Sequence, residues 1–233
     1  MKVTIRQSEE RGTTQRGWLN SKHTFSFGEY QDAAHMQFHS LRVLNDDHVE
    51  PGQGFGRHGH RDAEILSYVI DGQLEHNDSM GNGRVIQAGD LQYMSAGSGV
   101  LHSEYNPSNS APVHFLQIWI LPNVVGGEPR YAERAMAAST QPNSLTLLAS
   151  GDGRQESIGI RADADVYFGR LDAGSAITHA AAAGRGIWVH VIKGKVQLEG
   201  YSLSPGDGAS VEGTGSITLQ AQEGAEFLLF DLQ

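Results

Sequence analysis

The sequence predicts an all-β protein made of two similar antiparallel domains in tandem, each a β-sandwich, jelly roll or β-barrel. Short runs of β-branched, aromatic and leucine residues alternate with Gly, Asn, Asp or Pro at intervals of about eight to twelve residues, the spacing of such folds. In the segments IDGQ and SMGNGR, glycine stands near Asp or Asn, as in tight turns between antiparallel strands. The same texture returns in the second half of the chain, and this repetition indicates the second domain.

A connector is expected between the two domains. The segment EPRYAERAMAAS, residues 128–139, is rich in arginine, glutamate and alanine, which favour a helix. We therefore expect a first domain over residues 1–127, a connector with a short helix over 128–145, and a second domain over 146–233.

The composition describes an acidic globular chain and restricts its chemistry. The 233 residues include 27 Asp and Glu against 17 Lys and Arg, a formal charge of -10, and no cysteine. Without cysteine there is no disulfide, thiolate zinc site, iron–sulfur cluster or thiol nucleophile, so a metal must be held by imidazole, carboxylate or water. Acidic residues outnumber basic ones in both halves. Direct binding to nucleic acid, which depends on cationic side chains, is therefore disfavoured.

The N-terminal segment and the apolar runs indicate a cytoplasmic protein with no membrane association. The segment MKVTIRQSEERG alternates charged and apolar residues and lacks the apolar stretch of a signal peptide. Later apolar runs are shorter than a membrane span requires.

Histidine is the residue type that would locate a metal site, and its distribution is uneven. The second half contains only His179 and His190. The other nine histidines are His23, His35, His39, His48, His58, His60, His76, His102 and His114. A metal site is therefore expected in the first domain, and the second domain is expected to lack metal ligands.

Two pairs of side chains have the spacing of metal ligands on strands. GRHGHRDAE contains His58 and His60, and VLHSEYN contains His102 and Glu104. Alternate residues leave the same face of a strand about 6 to 7 Å apart, so each pair can converge on one ion. If the strands are neighbours, the two pairs face each other and offer three imidazoles and one carboxylate to a divalent metal. An octahedral shell would keep about two positions open for water, oxygen or substrate, as catalytic sites do.

The carboxylate ligand has alternatives on the first strand. Residues 58, 60, 62 and 64 share one face, so Asp62 and Glu64 are also candidates. Glu104 is preferred because it follows His102 at the separation that joins the two histidines, whereas Glu64 lies about 13 Å along a straight strand from His60. Glu64 is expected to form a structural ion pair or to hydrogen-bond a ligand.

Other histidines and aromatic residues have structural explanations. His23, His76 and His114 are expected to be packed or on the surface. Trp119 and Phe55 are expected to be ordinary core or rim aromatics. On the strand VHFLQIWI, His114 and Trp119 leave opposite faces, so only one of them lines the domain interior.

Longer segments around both motifs resemble a known family. From Gly52 the chain reads G-x5-H-x-H-x3-E-x7-G, and from Gly89 it reads GDLQYMSAGSGVLHSEYN. Both look like metal-binding motifs of the cupin superfamily, and HTFSFGEYQD, MSAGSGVLHSEYNPS and LQIWILP resemble its pirin family more narrowly. The first motif has one extra residue before Gly72, and the second has Ser95 in place of the usual proline and two extra residues before His102.

The resemblance implies a bicupin fold whose second domain has lost its metal ligands. The second half has cupin-like strands, as in IWVHVIKGKVQLEGYSLSPGDGASV, but neither H-x-H nor H-x-E. Pirins take the carboxylate ligand two residues after the last histidine, which is Glu104 here, whereas many cupins take it from the first motif, here Glu64. The ligand set implied is His58, His60, His102 and Glu104.

The resemblance also implies an activity, because bacterial pirin-like proteins include quercetin 2,3-dioxygenases. A flavonol offers a 3-hydroxyl and a 4-carbonyl to a Lewis-acidic metal, and dioxygen opens the heterocycle to a phenolic ester with loss of carbon monoxide. Glu104 would act as general base in addition to binding the metal. Fe2+ is the preferred metal, zinc, manganese, cobalt, nickel or copper also fit nitrogen and oxygen donors, and no organic cofactor is expected.

Two alternative functions fit the same site. Pirins also resemble regulators that contact transcription factors or metabolic enzymes, with the redox state of the metal altering a surface. An acidic chain suits such protein partners. A cupin isomerase or epimerase is the third function, and it would turn over without oxygen.

Overall fold

Antiparallel strands dominate the computed structural model, which describes residues 1–135 and 140–233. The strands of the first half are β1 (Lys2–Arg6), β2 (Gly12–Gln15), β3 (Leu19–His23), β4 (Leu41–Val49), β5 (Gly54–His60), β6 (Glu64–Asp71), β7 (Gln73–Asp78), β8 (Gly83–Gln87), β9 (Asp90–Ser95), β10 (Val100–Tyr105), β11 (Val113–Ile120) and β12 (Arg130–Ala135). Those of the second half are β13 (Ser144–Ser150), β14 (Ile158–Gly159), β15 (Ala164–Leu171), β16 (Ala176–Ala181), β17 (Gly186–Lys193), β18 (Val196–Leu198), β19 (Tyr201–Leu203), β20 (Gly208–Glu212), β21 (Gly215–Ala221) and β22 (Ala225–Leu232). Single 3-10 turns occur at Ser8–Glu10 and Arg154–Glu156. In these ranges, no helix has the length and apolar character that crossing a bilayer requires.

The strands form two large and two small sheets. The first half contributes a seven-stranded sheet of order β12-β9-β6-β11-β4-β3-β2 and a four-stranded sheet of order β5-β10-β7-β8. The other seven-stranded sheet has the order β1-β20-β17-β22-β15-β13-β14, and the other four-stranded sheet has the order β16-β21-β18-β19. The predicted all-β fold is confirmed.

Apolar clusters fill the space inside each pair of sheets and the space between the two large sheets. Inside the first pair, Phe115 of β11 packs in one cluster with Leu74 of β7. Between the large sheets, Leu116 of β11 shares a cluster with Phe230 of β22. Because β6 and β22 are covered on both faces, their sequences read as almost continuous apolar runs, EILSYVID and AEFLLFDL.

The first strand belongs to a sheet of the second half. β1 pairs with β20 over the register Lys2 opposite Glu212 to Arg6 opposite Gly208. Beyond the strand, the backbone N–H of Ser8 donates to the carboxylate of Asp207 at 2.8 Å. The N-terminal segment therefore crosses from one half of the molecule to the other. The domain limits 1–127 and 146–233 stay a prediction.

The predicted helix over residues 128–139 is wrong for the part that the structure describes. Arg130–Ala135 is strand β12, paired with β9 from Arg130 opposite Ser95 to Ala135 opposite Asp90. A lone helix of about twelve residues is marginal in water, because each turn must form without tertiary support. The edge of β9 instead supplies hydrogen-bond partners for this segment. Residues 136–139 lie outside the described residues.

Candidate metal centre

Three of the four predicted metal ligands converge on the inner face of the small sheet of the first half. β5 and β10 pair so that His58 lies opposite His102 and His60 lies opposite Val100. One ring nitrogen from each of the three histidines lies within 4.8 Å of the other two. The strand spacing of two residues and the pairing of β5 with β10 therefore bring these imidazoles together.

The separation of the ring nitrogens fits one metal ion. Nε2 of His58 and Nε2 of His102 are 3.1 Å apart. Two adjacent ligands bound at about 2.1 Å in an octahedral shell are about 3.0 Å apart. Nδ1 of His58 donates to the carbonyl of Gly56 at 2.7 Å, which leaves Nε2 of the neutral ring with its lone pair. The residues present therefore suit a divalent transition metal.

Burial keeps two of these imidazoles neutral. Burial, together with the charges of His102 and His58, lowers the pKa of His60 to about 4. Burial, together with the charges of His58 and His76, lowers the pKa of His102 to about 3. Both rings consequently keep a nitrogen lone pair at neutral pH, the state in which imidazole binds metals.

Glu104 lies beside the three histidines but belongs to a second set of donors. It is only 1% exposed, and it forms a group with His102 and His76 whose donor atoms lie within 4.8 Å of one another. Ser67 donates to Oε1 of Glu104 at 3.0 Å, and Gln117 donates to Oε2 at 2.8 Å. These two neutral donors come from the large sheet and hold the carboxylate in one orientation.

The register of β5 and β10 explains this position of Glu104. The sequence predicts that the two ligand pairs face each other. The pairing instead shifts between His102 and Glu104, so that Glu104 lies opposite Phe55 rather than opposite Gly56. Such a bulge changes the direction of the side chains that follow it.

His76 and Asp78 on β7 complete the inner face of the small sheet. His76 lies opposite Glu104, and Asp78 lies opposite His102. Nε2 of His76 is 3.0 Å from the Asp78 carboxylate, and both side chains are fully buried. The sequence predicts a packed or surface position for His76 and no role for Asp78. Their separation of two residues in LEHND, the same as in the ligand pairs, is the signal that identifies them.

The two alternative carboxylates, those of Glu64 and Asp62, form hydrogen bonds outside the metal centre. Glu64 is buried and accepts hydrogen bonds from Tyr93, from Ser95 at 2.6 Å and from the backbone N–H of Arg161 at 2.8 Å. Asp62 accepts from the backbone N–H of Gly126 at 2.5 Å. Glu64 thus has a structural role that links the two halves of the molecule.

Aromatic side chains bound the site on the side of the large sheet. The ring centroid of Trp119 is 4.7 Å from that of His60, and the ring centroid of Phe27 is 5.5 Å from that of Trp119. Gln117 and Trp119 share the inner face of β11. His114 leaves the other face and hydrogen-bonds to Asp46, so the Trp119 side of this strand lines the interior.

Known proteins resemble this chain over its whole length. Residues 4–120 match the Pirin family, and residues 147–232 match the family described as Quercetinase C-terminal cupin domain. A relative from Escherichia coli strain K12, named quercetin 2,3-dioxygenase, is 45% identical over 230 residues, which are 99% of this chain and 98% of the relative. The chain belongs to the pirin family. The resemblance inferred from its two motifs is thereby confirmed.

Solved pirin structures have the same fold. The crystal structure of YhhW from Escherichia coli matches this pirin with a TM-score of 0.96 and 43% identity, covering 100% of this chain and 98% of YhhW. A structure of bacterial pirin YhhW in complex with nickel(II) matches with a TM-score of 0.95 and 44% identity, covering 99% of each chain. The family therefore includes a member that binds a divalent transition metal.

Proposed function

We propose that this protein is a metal-dependent dioxygenase that opens the heterocyclic ring of flavonols such as quercetin with O2. The convergence of three imidazoles on the inner face of the small sheet is the observation that carries the proposal. The full-length relative named quercetin 2,3-dioxygenase supports the choice of substrate.

The residues that would hold the metal are His58, His60, His102 and Glu104. The first three offer ring nitrogens that lie close together, and Glu104 adds a carboxylate beside His102. Fe2+ is our first choice, and zinc, manganese, cobalt, nickel and copper fit the same nitrogen and oxygen donors. The nickel bound to the YhhW pirin is consistent with this range of metals.

A divalent metal held there would supply Lewis acidity that lowers the pKa of the flavonol 3-hydroxyl. Glu104 accepts the proton of the 3-hydroxyl, for which a carboxylate within hydrogen-bond reach is required. The hydrogen bonds from Ser67 and Gln117 keep that carboxylate oriented. Each bond occupies only one lone pair of one oxygen, so the carboxylate can still accept a proton. One flavonol and one O2 give one phenolic ester and one carbon monoxide.

The walls of the site suit a planar aromatic substrate. Trp119 packs against His60 with an angle of 77° between the rings, and Phe27 packs against Trp119 at 84°. Aromatic side chains contribute apolar surface and edge-to-face contacts to a flat ligand, and they exclude water from the reacting oxygens.

The test is to incubate the metal-loaded protein with quercetin in air. Flavonol absorbance, oxygen uptake and carbon monoxide release should change together, in a one-to-one ratio of oxygen consumed to carbon monoxide formed. The variant His58→Ala, His60→Ala is the control, because it removes two ligands from one strand. Absence of metal-dependent flavonol loss would contradict the proposal and favour the protein-interaction function, and turnover without oxygen would favour an isomerase.

A further inference from the structure

A second group of metal-ligating side chains lies on the other face of the large first sheet, between the two halves of the molecule. β4 and β11 pair so that His48 lies opposite His114 and Asp46 lies opposite Leu116. We call Asp46, His48 and His114 the interface triad. One donor atom from each residue of the triad lies within 4.8 Å of the other two.

Both imidazoles of the interface triad approach the same carboxylate oxygen. Nε2 of His114 is 2.6 Å from Oδ1 of Asp46, and Nε2 of His48 is 3.9 Å from it. The two rings are stacked, with centroids 3.9 Å apart and 16° between their planes. Two imidazoles and one carboxylate are a donor set that binds divalent transition metals and leaves positions open. Because the stacked rings hold their lone pairs nearly parallel, the exposed His48 ring must turn for both imidazoles to face one ion.

A cavity of about 180 Å³ adjoins the interface triad and is also lined by His190 of β17. His190 is 1% exposed, and its Nδ1 has no hydrogen-bond partner within residues 1–135 and 140–233. Burial, with the charge of Arg11, lowers the pKa of His190 to about 3, so this ring is neutral. A water molecule takes about 30 Å³ of liquid volume, so the cavity has room for an ion with several waters.

The charges around the interface triad select among cations. Arg11 donates to Oδ2 of Asp46 at 3.0 Å. Lys22 lies opposite Asp46 in the pairing of β3 with β4 and lines the same cavity. One carboxylate beside two positive charges does not suit calcium or magnesium, which need several oxygen ligands. Zinc, nickel and copper prefer imidazole and tolerate such a site.

We propose that the interface triad binds one divalent transition metal ion, such as zinc, nickel or copper, independently of the three-histidine centre. The two sites use opposite faces of β11, with Gln117 and Trp119 toward one and His114 toward the other. Because His190 of the second half lines the cavity, the bound ion lies where the two halves meet and stabilises their contact. Arg11 and Lys22 make this site weaker than the three-histidine centre.

The test is equilibrium dialysis of the metal-stripped, full-length protein against Zn2+. The variant His58→Gln, His60→Gln weakens the first centre and should retain one zinc ion per chain. Adding His48→Gln and His114→Gln to this background should lower the affinity for zinc by at least about tenfold. His179→Gln is the matched control, since His179 also bonds to a carboxylate, that of Asp231 at 2.8 Å, and it should leave zinc binding unchanged.

Two further measurements separate loss of the site from loss of the fold. Zn2+ should raise the thermal unfolding temperature of the His58→Gln, His60→Gln variant and not that of the fourfold variant, whose circular dichroism should be unchanged. Lys22→Gln should strengthen zinc binding by removing a like charge. Equal zinc affinity with and without His48 and His114 would overturn the proposal, and so would weaker binding by Lys22→Gln. Neither result would affect the assignment of the three-histidine centre.

Discussion

At the scale of single residues, Glu104 combines two functions that a substitution can separate. It is buried, close to His102, and hydrogen-bonded by Ser67 and Gln117. Glu104→Gln should lower quercetin turnover by at least about 100-fold, because an amide does not accept the substrate proton. Metal content should fall much less, since three imidazoles remain.

Turnover and metal content have to be measured on the same preparation of Glu104→Gln. Glu75→Gln is a suitable control, because Glu75 lies on the neighbouring strand β7 opposite Tyr105 and outside the metal centre. If turnover and metal content fall by the same factor, Glu104 is a ligand only and the proton has another acceptor.

Glu64 allows a complementary prediction about stability. Glu64→Ala leaves the buried donors of Tyr93, Ser95 and Arg161 without their acceptor. The free energy of unfolding should fall by about 3 kcal/mol or more, as expected when several buried polar groups lose their partners. Urea denaturation measures this loss, and Glu64→Gln, which keeps one acceptor oxygen, should lose less. Metal content should be retained in both variants, and its loss from a folded Glu64→Gln protein would instead identify Glu64 as a ligand.

The sequence predicts the strongest features of the site because they repeat with the period of a strand. His58 with His60, and His102 with Glu104, are each separated by two residues, and the three imidazoles do meet. Ser67 and Gln117 cannot be recognised in this way. Their hydroxyl and amide reach Glu104 from the large sheet, so their role depends on how two sheets pack.

At the scale of elements, the approach of β5 to β10 depends on Gly54. A Cβ atom on Gly54 would lie 2.2 Å from the carbonyl oxygen of Glu104 and 2.6 Å from Cα of Tyr105. Gly54→Ala should therefore push the strands apart where they hold Glu104, destabilise the protein by about 1 to 3 kcal/mol and weaken metal binding.

Gly56 of the same strand provides the matched control. A Cβ atom there would meet only the hydroxyl of Tyr105, at 3.7 Å. Gly56→Ala should therefore bind metal like the unmodified protein. Titration of both variants with Ni2+ and their urea midpoints make the comparison. Indistinguishable results for the two alanine variants would show that close approach at Gly54 is not required.

Strand pairing also explains which elements the sequence predicts poorly. Alternating or continuous apolar runs identify strands such as β6 and β22, because burial imposes that pattern. The segment Arg130–Ala135 has residues that favour a helix, yet it pairs with β9. Helix propensity amounts to tenths of a kcal/mol per residue, which a ladder of backbone hydrogen bonds at a sheet edge outweighs. The shift in register after His102 cannot be predicted from the spacing of residues either.

At the scale of the whole molecule, buried histidines link stability to pH. The pKa of His60 is lowered to about 4, and those of His102 and His190 to about 3, from an ordinary value of 6.5. Between these values the unfolded chain binds more protons than the folded chain. The free energy of unfolding is therefore highest above about pH 6.5, where these histidines are neutral in both states. It decreases as the pH falls toward the folded-state pKa values, because the unfolded chain takes up protons first.

The metal-free protein should accordingly have a lower urea midpoint at pH 5 than at pH 7. Asp47 opposes this trend, because burial raises its pKa to about 7. Its effect is smaller, because Asp47 binds one proton whereas the three histidines together bind three. His102→Gln should flatten the profile relative to the unmodified protein. A midpoint at pH 5 equal to or above that at pH 7 would contradict the burial of neutral imidazoles.

The pairing of β1 with β20, in the sheet of the second half, also affects folding during translation. During translation, Lys2–Arg6 leaves the ribosome long before Gly208–Glu212, its pairing partner, has been synthesised. A nascent chain must therefore carry an unpaired leading segment through most of elongation, with the exposure to misassembly that unpaired strands bring. Premature termination anywhere before β20 would leave β1 without its pairing strand. The exposed backbone of β1 is a feature that chaperones and proteases can recognise.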